Sequence, residues 1–186
     1  MKESCVRPTS DAEDAFSRYV LPEIDVLYRV ALAATRNAAD AEDLVQDTLL
    51  RAFRSIDRFD GRHPRAWLLT ILRNAQINRV RRRRPTLLAD PDHAADRHAV
   101  MADPAAGPEE VAMDRRFDAL VEEAYLALPD DFRAVIDLVD LGGLTYEEAA
   151  TVLDVPQGTV MSRLHRGRKR IRASLAEAGL QRGDRP

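Results

Sequence analysis

A chain of 186 residues can hold one medium domain or two small ones and is ample for a buried core. Its formal net charge is only -3, from 28 basic and 31 acidic side chains, yet basic islands at 73–84 and 160–172 stand in an acidic remainder; nucleic-acid contact therefore belongs to the islands, and the acids elsewhere weaken nonspecific DNA binding by the free chain. A single cysteine, Cys5, excludes an internal disulfide framework and a cysteine-zinc cluster, and the absence of a span-length apolar run or a signal-peptide core leads us to expect a cytoplasmic protein without membrane insertion.

Residues 1–11 are polar, carry Pro8, and are expected to be a disordered N-terminus. From Asp11 to Thr35, Phe16, Val20, Ile24, Leu27, Tyr28, Ala31 and Leu32 recur at spacings of three and four. This is a helical stripe, and Pro22 splits it into two helices. Asn37 is placed to cap the next helix, whose core face is Ala41, Leu44, Val45, Thr48, Leu49, Ala52 and Phe53. The opposite face shows Glu42, Asp43, Gln46, Asp47 and Leu50. Acids near a helix N-terminus suit the macrodipole, but a large apolar side chain rimmed by them suits a partner's basic, partly apolar groove.

A loop at 57–64 holds the turn residues Gly61 and Pro64. The helix expected over 65–84 turns Leu68, Ile71, Leu72 and Ala75 inward and ends in the run Arg81 to Arg84. Arginines at a helix C-terminus are ordinary dipole complements. Beside Arg73, Asn74 and Asn78, they also supply guanidinium groups for phosphates next to amides for base edges. Aromatic side chains near this face are few, Phe59 and Trp67, with Trp67 expected in the core.

Residues 85–110 contain four prolines and six acids against the single base Arg97, a linker composition. Such a segment spans roughly 30 Å as a coil and up to about 80 Å extended. His93 and His98 lie in it near Asp90, Asp92 and Asp96, but a proline-broken segment fixes no metal geometry, and no metal or other cofactor is expected. The four histidines are scattered and no nucleophile motif accompanies them, so catalysis is not expected either.

Helical periodicity resumes at 111–128 with Phe117, Leu120, Val121, Ala124 and Leu128 on one side. Pro129 opens another helix, with Phe132, Val135, Ile136 and Val139, which Gly142 and Gly143 stop. Thr145 and Glu148 then form a capping-box pattern, and Asp154, Val155 and Pro156 turn the chain into a second helix. There Val160 and Leu164 can pack back, while Arg163, Arg166, Arg168, Lys169, Arg170 and Arg172 form a cationic run without an acid. This is a helix-turn-helix. In that motif the second helix enters the major groove N-terminus first, which makes Gln157, Thr159, Met161, Ser162, His165 and Arg166 candidate readers of base edges.

Taken together, DAEDLVQDTLLRAFR at 40–54, RAWLLTILRNAQINRVRRRR at 65–84 and LPDDFRAVIDLVDLGGLTYEEAATVLDVPQGTVMSRLHRGRKRIR at 128–172 resemble bacterial sigma factors of the extracytoplasmic function group, over about residues 12–178. The resemblance implies an all-α protein of two small helical domains joined by a flexible linker: a region 2-like domain at 12–84, the linker at 85–110, a region 4-like domain at 111–178 and a tail at 179–186. It implies binding of core RNA polymerase through Asp43, Gln46, Asp47, Leu50 and Arg51. It also implies recognition of the minus 10 element as single-stranded DNA by the loop Asp60, Gly61, Arg62 and His63 and by Arg73, Asn74, Asn78, Arg81 and Arg82. The minus 35 element would be read as duplex by Met161, Ser162, Arg163 and Arg166, with Gln157, Thr159 and Lys169 completing the surface. An anti-sigma protein is a further implied partner. Two departures stand out: Asp154 occupies a turn position where many relatives carry glycine, and Met161 stands where others carry arginine or lysine, which removes a bidentate guanine contact. The competing reading is a stand-alone helix-turn-helix repressor or activator with an N-terminal dimerisation or sensor domain, which would bind intact duplex without polymerase.

Overall fold

Helix signals dominate the chain at every scale, and in the computed structural model, which describes residues 10–83 and 108–179, the described residues form helices and turns without a strand. The chain divides into two compact units, Met1–Arg97 and His98–Pro186. Cys5, Arg84, His93, His98, most of the segment read as linker and all but the first residue of the tail lie outside the described residues.

In the first unit, α1 (Ser10–Tyr19) and α2 (Ile24–Thr35) are separated by a 3-10 turn at Leu21–Glu23, where Pro22 breaks the α-helical hydrogen bonding. The chain leaves α2 through Arg36 in the left-handed region, φ 60°, and enters α3 (Ala38–Ser55) under an Asn37 cap, whose Oδ1 accepts from the Asp40 amide at 3.0 Å. After a 3-10 turn at Ile56–Arg58, α4 runs from Pro64 to Arg83. The core is built from Val20, Leu27, Ala31, Leu44, Leu68, Leu69, Leu72 and Ala75. Thr48 is buried with them because its hydroxyl donates to the Leu44 carbonyl at 2.7 Å. Leu69, which the single-stripe reading leaves out, is fully buried, whereas Ile71 stays partly exposed. Both α2 and α3 pack on α4, so its buried arc is wider than one stripe and rotated from the expected one.

In the second unit α5 (Pro108–Leu126) begins inside the stretch read as linker, with proline at its first turn. Next comes α6 (Asp130–Ile136), which does not stop cleanly at the glycines but widens into a π-helical turn at Asp137–Leu141, closed by the Gly142 amide donating to the Asp137 carbonyl at 2.8 Å. Gly143 then takes φ 67°, the left-handed conformation that turns the chain toward α7 (Tyr146–Leu153) and α8 (Gln157–Glu177). Leu128, Val135, Ile136, Leu138, Leu144, Ala149, Val152, Val160 and Leu164 form the core. Phe117, expected on the apolar side of α5, is 36% exposed. Arg133 ties α5 to α6, its Nη1 donating to the carbonyls of Leu126 and Leu128 at 2.8 Å each, oxygens that a helix end leaves unpartnered.

Tyr125 donates its hydroxyl to Asp137 in this core. Burial pushes the Asp137 carboxyl up from its ordinary 3.8 to about 6, against the opposing influence of the Tyr125 hydrogen bond and the nearby Arg133 charge. A carboxyl that holds its proton better in the fold than in the unfolded chain stabilises the unit fully below pH about 4, and that contribution is lost as the pH rises through about 6. At about 1.4 kcal/mol per pH unit, the loss is on the order of 3 kcal/mol. Asp137→Asn, which keeps an oxygen for Tyr125, is expected to flatten the fall in stability over this interval; urea unfolding of the full chain between about pH 3.5 and about pH 7, which brackets that shift, measures it.

Candidate nucleic-acid and partner interfaces

The helix-turn-helix is assembled from short-range chemistry. Thr145 Oγ1 accepts from the Glu148 amide at 3.2 Å, and Glu148 Oε2 accepts from the Thr145 amide at 2.9 Å, so both halves of the capping box form. Asp154 ends α7 in the left-handed region, φ 54° and ψ 50°, the conformation that aspartate adopts at modest cost where glycine is more usual. Pro156 precedes α8 and its carbonyl accepts from the Thr159 amide at 2.8 Å. Val160, Leu164 and Gly167 face inward along α8. Gly167 sits against α6, where an added Cβ would stand 3.0 Å from Ile136 Cδ1 and 3.6 Å from Phe132 Cβ.

The opposite side of α8 is the outward one. Gln157, Met161, Ser162, His165, Arg166 and Lys169 are exposed there, with Met161 at 51%, while Thr159 is half-buried. Ser162 donates its hydroxyl to the Thr159 carbonyl at 3.0 Å. Arg163 differs from its neighbours: it lies on the flank toward α6, half-buried, with Nη2 2.6 Å from the Asp131 carboxylate. Arg168 is clasped by Asp140, a hydrogen bond that raises its pKa further above the usual range, and Arg170 lies 4.9 Å from the Phe132 ring centre. Arg166, Lys169 and Arg172 meet no carboxylate at ion-pair distance among the described residues.

In the first unit, Asp43, Gln46, Asp47, Leu50 and Arg51 share the outer face of α3, opposite buried Ala41, Leu44, Val45, Thr48 and Ala52. Leu50 is 57% exposed amid them, the largest exposure of any bulky apolar side chain among the described residues. Arg51 donates from Nε to Asp47 at 2.9 Å, one turn away. Arg79 of α4 reaches the N-terminal end of the same helix, 2.8 Å from Asp40 and 3.8 Å from Asp43. Arg79 carries no local signal of this role, because its partner lies 39 positions away in the chain.

The loop before α4 is folded on itself and on α1. Asp60 Oδ1 accepts from the Arg62 amide at 2.9 Å, Gly61 takes φ 78° and His63 takes φ 48°. A Cβ on Gly61 would meet the Tyr19 hydroxyl at 3.4 Å. Phe59 stacks on Trp67 with ring centres 4.4 Å apart, and Tyr19 packs edge-on against Phe59 at 5.5 Å. Trp67 is thus half-buried in a small aromatic stack rather than sealed in the core. On α4, Asn74, Asn78, Arg81 and Arg82 project from one exposed face and Arg73 sits half-buried at its edge.

The two units have counterparts in known proteins. Residues 20–86 match the family model of Sigma-70 region 2, and residues 118–171 match that of Sigma-70, region 4. The chain is 39% identical over 168 residues to the ECF RNA polymerase sigma factor SigE of Mycolicibacterium smegmatis, covering 89% of this chain and 63% of that protein's length. It is 31% identical to SigW of Bacillus subtilis, over 89% of this chain and 91% of that one, and 36% identical to SigL of Mycobacterium tuberculosis, over 92% and 95%. Among solved structures, the sigma factor RpoE in complex with the anti-sigma factor NepR from Bartonella quintana superposes with a TM-score of 0.71 at 30% identity, over 91% of this chain and 98% of that one. CnrH in complex with the cytosolic domain of CnrY gives 0.61 at 27%, over 89% and 95%. A region 2 match in the N-terminal half removes the ground for reading that half as a dimerisation or sensor domain.

The capping box is the local contact on which the helix-turn-helix begins, and Thr145→Ala removes it. The substitution is expected to cost about 1 kcal/mol of stability, measured by urea unfolding of the full chain, while Thr145→Ser retains most of it.

Proposed function

Because the chain belongs to the extracytoplasmic function group of sigma factors, proteins of transcription initiation, we propose that it joins core RNA polymerase through α3 and directs it to promoters by reading two separate elements. Asp43, Gln46, Asp47, Leu50 and Arg51 are the docking surface. The observation that carries this reading is the exposure of Leu50 at the centre of a largely acidic helix face, since an apolar side chain ringed by carboxylates suits a basic, partly apolar groove on a partner.

In the same unit, Asp60, Gly61, Arg62, His63, Arg73, Asn74, Asn78, Arg81 and Arg82 take the minus 10 element as a single strand. The amides have donors and acceptors for base edges and the arginines neutralise phosphates. Phe59 and Trp67 are stacked on each other, which leaves little aromatic surface for indiscriminate stacking on bases. Unstacking a base costs a few kcal/mol, so strand opening depends on the right bases entering sites that hold them. In the second unit, Gln157, Thr159, Met161, Ser162, Arg163, Arg166 and Lys169 form the surface for the minus 35 duplex. Met161 offers van der Waals contact where a basic residue would offer a bidentate hydrogen bond, so preference at its base pair differs from that of arginine-bearing relatives. RpoE of Bartonella quintana, one of the structural relatives, is in complex with an anti-sigma factor, and we extend a partner of that kind to this chain.

A pull-down with core polymerase followed by run-off transcription tests the reading. The wild-type chain is expected to bind core and start transcription at a defined site; failure to bind core would remove the proposal. Asp43→Lys with Asp47→Lys is expected to weaken core binding roughly a hundredfold with the helical circular dichroism spectrum retained. Arg166→Ala is expected to lower initiation about tenfold only at promoters that depend on the upstream element.

A further inference from the structure

The loop that leads into α4 is gripped at both ends by one corner of the chain. At its start Phe59 meets two rings, stacked on Trp67 with centres 4.4 Å apart and touched edge-on by Tyr19 of α1 at 5.5 Å. At its end Arg65, in the first turn of α4, donates from Nε to Glu23 Oε2 at 2.6 Å and from Nη2 to Glu23 Oε1 at 3.5 Å. Tyr19 closes α1 and Glu23 closes the 3-10 turn that follows, so the two stand on either side of the break at Pro22. The Glu23 side chain is only 14% exposed, against 40% for Arg65. Between the two grips the backbone is left-handed at Gly61, φ 78°, and at His63, φ 48°. For histidine that conformation is uncommon and persists where its surroundings impose it. Asp60, Arg62 and His63 are exposed along this stretch.

We propose that the corner between α1 and α2 is a clamp on the strand-reading loop, with Tyr19 and Glu23 as positioning residues that hold residues 60–63 in the shape that receives an unpaired base. The inference rests on the reading of this loop as part of the single-strand surface. Neither residue acts by touching DNA: Tyr19 is half-buried against Phe59 and Gly61, and Glu23 is engaged by Arg65. A loop released at one end samples other shapes, and its affinity for a base falls in proportion to the time spent outside the receiving one. A strand held by its phosphates alone does not depend on that shape, because the arginines of α4 neutralise it whatever the loop does. The clamp therefore strengthens binding of the correct strand and leaves that of an arbitrary one as it is.

The test uses holoenzyme reconstituted with the full chain. It is titrated, across a potassium chloride series, with a fluorescent single-stranded oligonucleotide carrying the non-template sequence just upstream of the run-off start site, and with a scrambled strand of the same composition. Tyr19→Leu and Glu23→Gln are each expected to weaken binding of the matched strand roughly fivefold. Binding of the scrambled strand, binding of core and the slope of affinity against salt should stay as in wild type, since no phosphate contact is removed. Tyr19→Phe, which keeps the ring, should behave as wild type. Unchanged affinity for the matched strand in either Tyr19→Leu or Glu23→Gln overturns the proposal. A loss that extends equally to the scrambled strand or to core binding also overturns it, because the corner would then be supporting the whole unit. So does tighter binding or a steeper salt slope in Glu23→Gln, which would make Glu23 a restraint on Arg65 rather than an anchor for the loop. A loss in Tyr19→Phe as large as in Tyr19→Leu overturns it as well, since the hydroxyl would then be a contact of its own. If the wild-type holoenzyme fails to distinguish the two strands, the reading of the loop itself falls, and this inference with it.

Discussion

The close contact of α8 with α6 is the constraint on which the second unit turns. A helix with Arg166, Arg170, Arg168 and Arg172 at spacings of four repels itself along its length and has no acid of its own to offset this. It is kept helical by burying a narrow stripe, Val160, Leu164 and Gly167, and the stripe must be narrow if the cationic side is to stay in water. Gly167 makes it so by letting α6 approach to where a side chain would strike Ile136. The same neighbour supplies counter-charges, Asp131 from α6 and Asp140 from the π turn after it. One short segment therefore provides apolar cover and decides which arginines remain outward.

The first unit solves a related problem with one helix bundle serving two surfaces. The inward face of α3 is packed on α2 and α4, and its outward face carries Leu50 among acids. Arg79 joins α4 to the acidic end of α3 through Asp40 and Asp43. The polar face of α4 and the outer face of α3 are thus fixed to one another by an ion pair as well as by shared core. Ahead of α4, the Asp60 turn and the Tyr19, Phe59 and Trp67 stack hold the loop in one shape, so that its side chains start from a defined backbone rather than a floppy one. Such preorganisation reduces the entropy lost when a flexible strand is taken up.

What was legible in the sequence was local. The Asn37 cap, the Pro22 break, the Thr145 and Glu148 box and the left-handed Asp154 turn all involve residues within four positions of one another, and each formed as the residue chemistry requires. The core face of α3 was largely plain, with Ala41, Leu44, Val45, Thr48 and Ala52 buried, although Leu49 and Phe53, expected with them, stay half-buried. On α4 the stripe departed from expectation at Leu69, which is buried, and at Ile71, which is half-buried. Trp67 was misplaced for a non-local reason: whether a large ring is sealed or stacked at an edge depends on Phe59 and Tyr19, which arrive from other elements.

By itself, then, the order of residues determined that the chain is helical, where its helices start and turn, which faces are apolar and which cations could face a polyanion. Those properties follow from backbone sterics, capping and periodicity, forces that act across a turn or two. Only the tertiary structure decided which of the cations are engaged: Arg163 with Asp131, Arg168 with Asp140 and Arg79 with Asp40 are separated by 32, 28 and 39 positions. A charge's partner is set by distance in space, and no periodicity encodes that distance until the helices have packed.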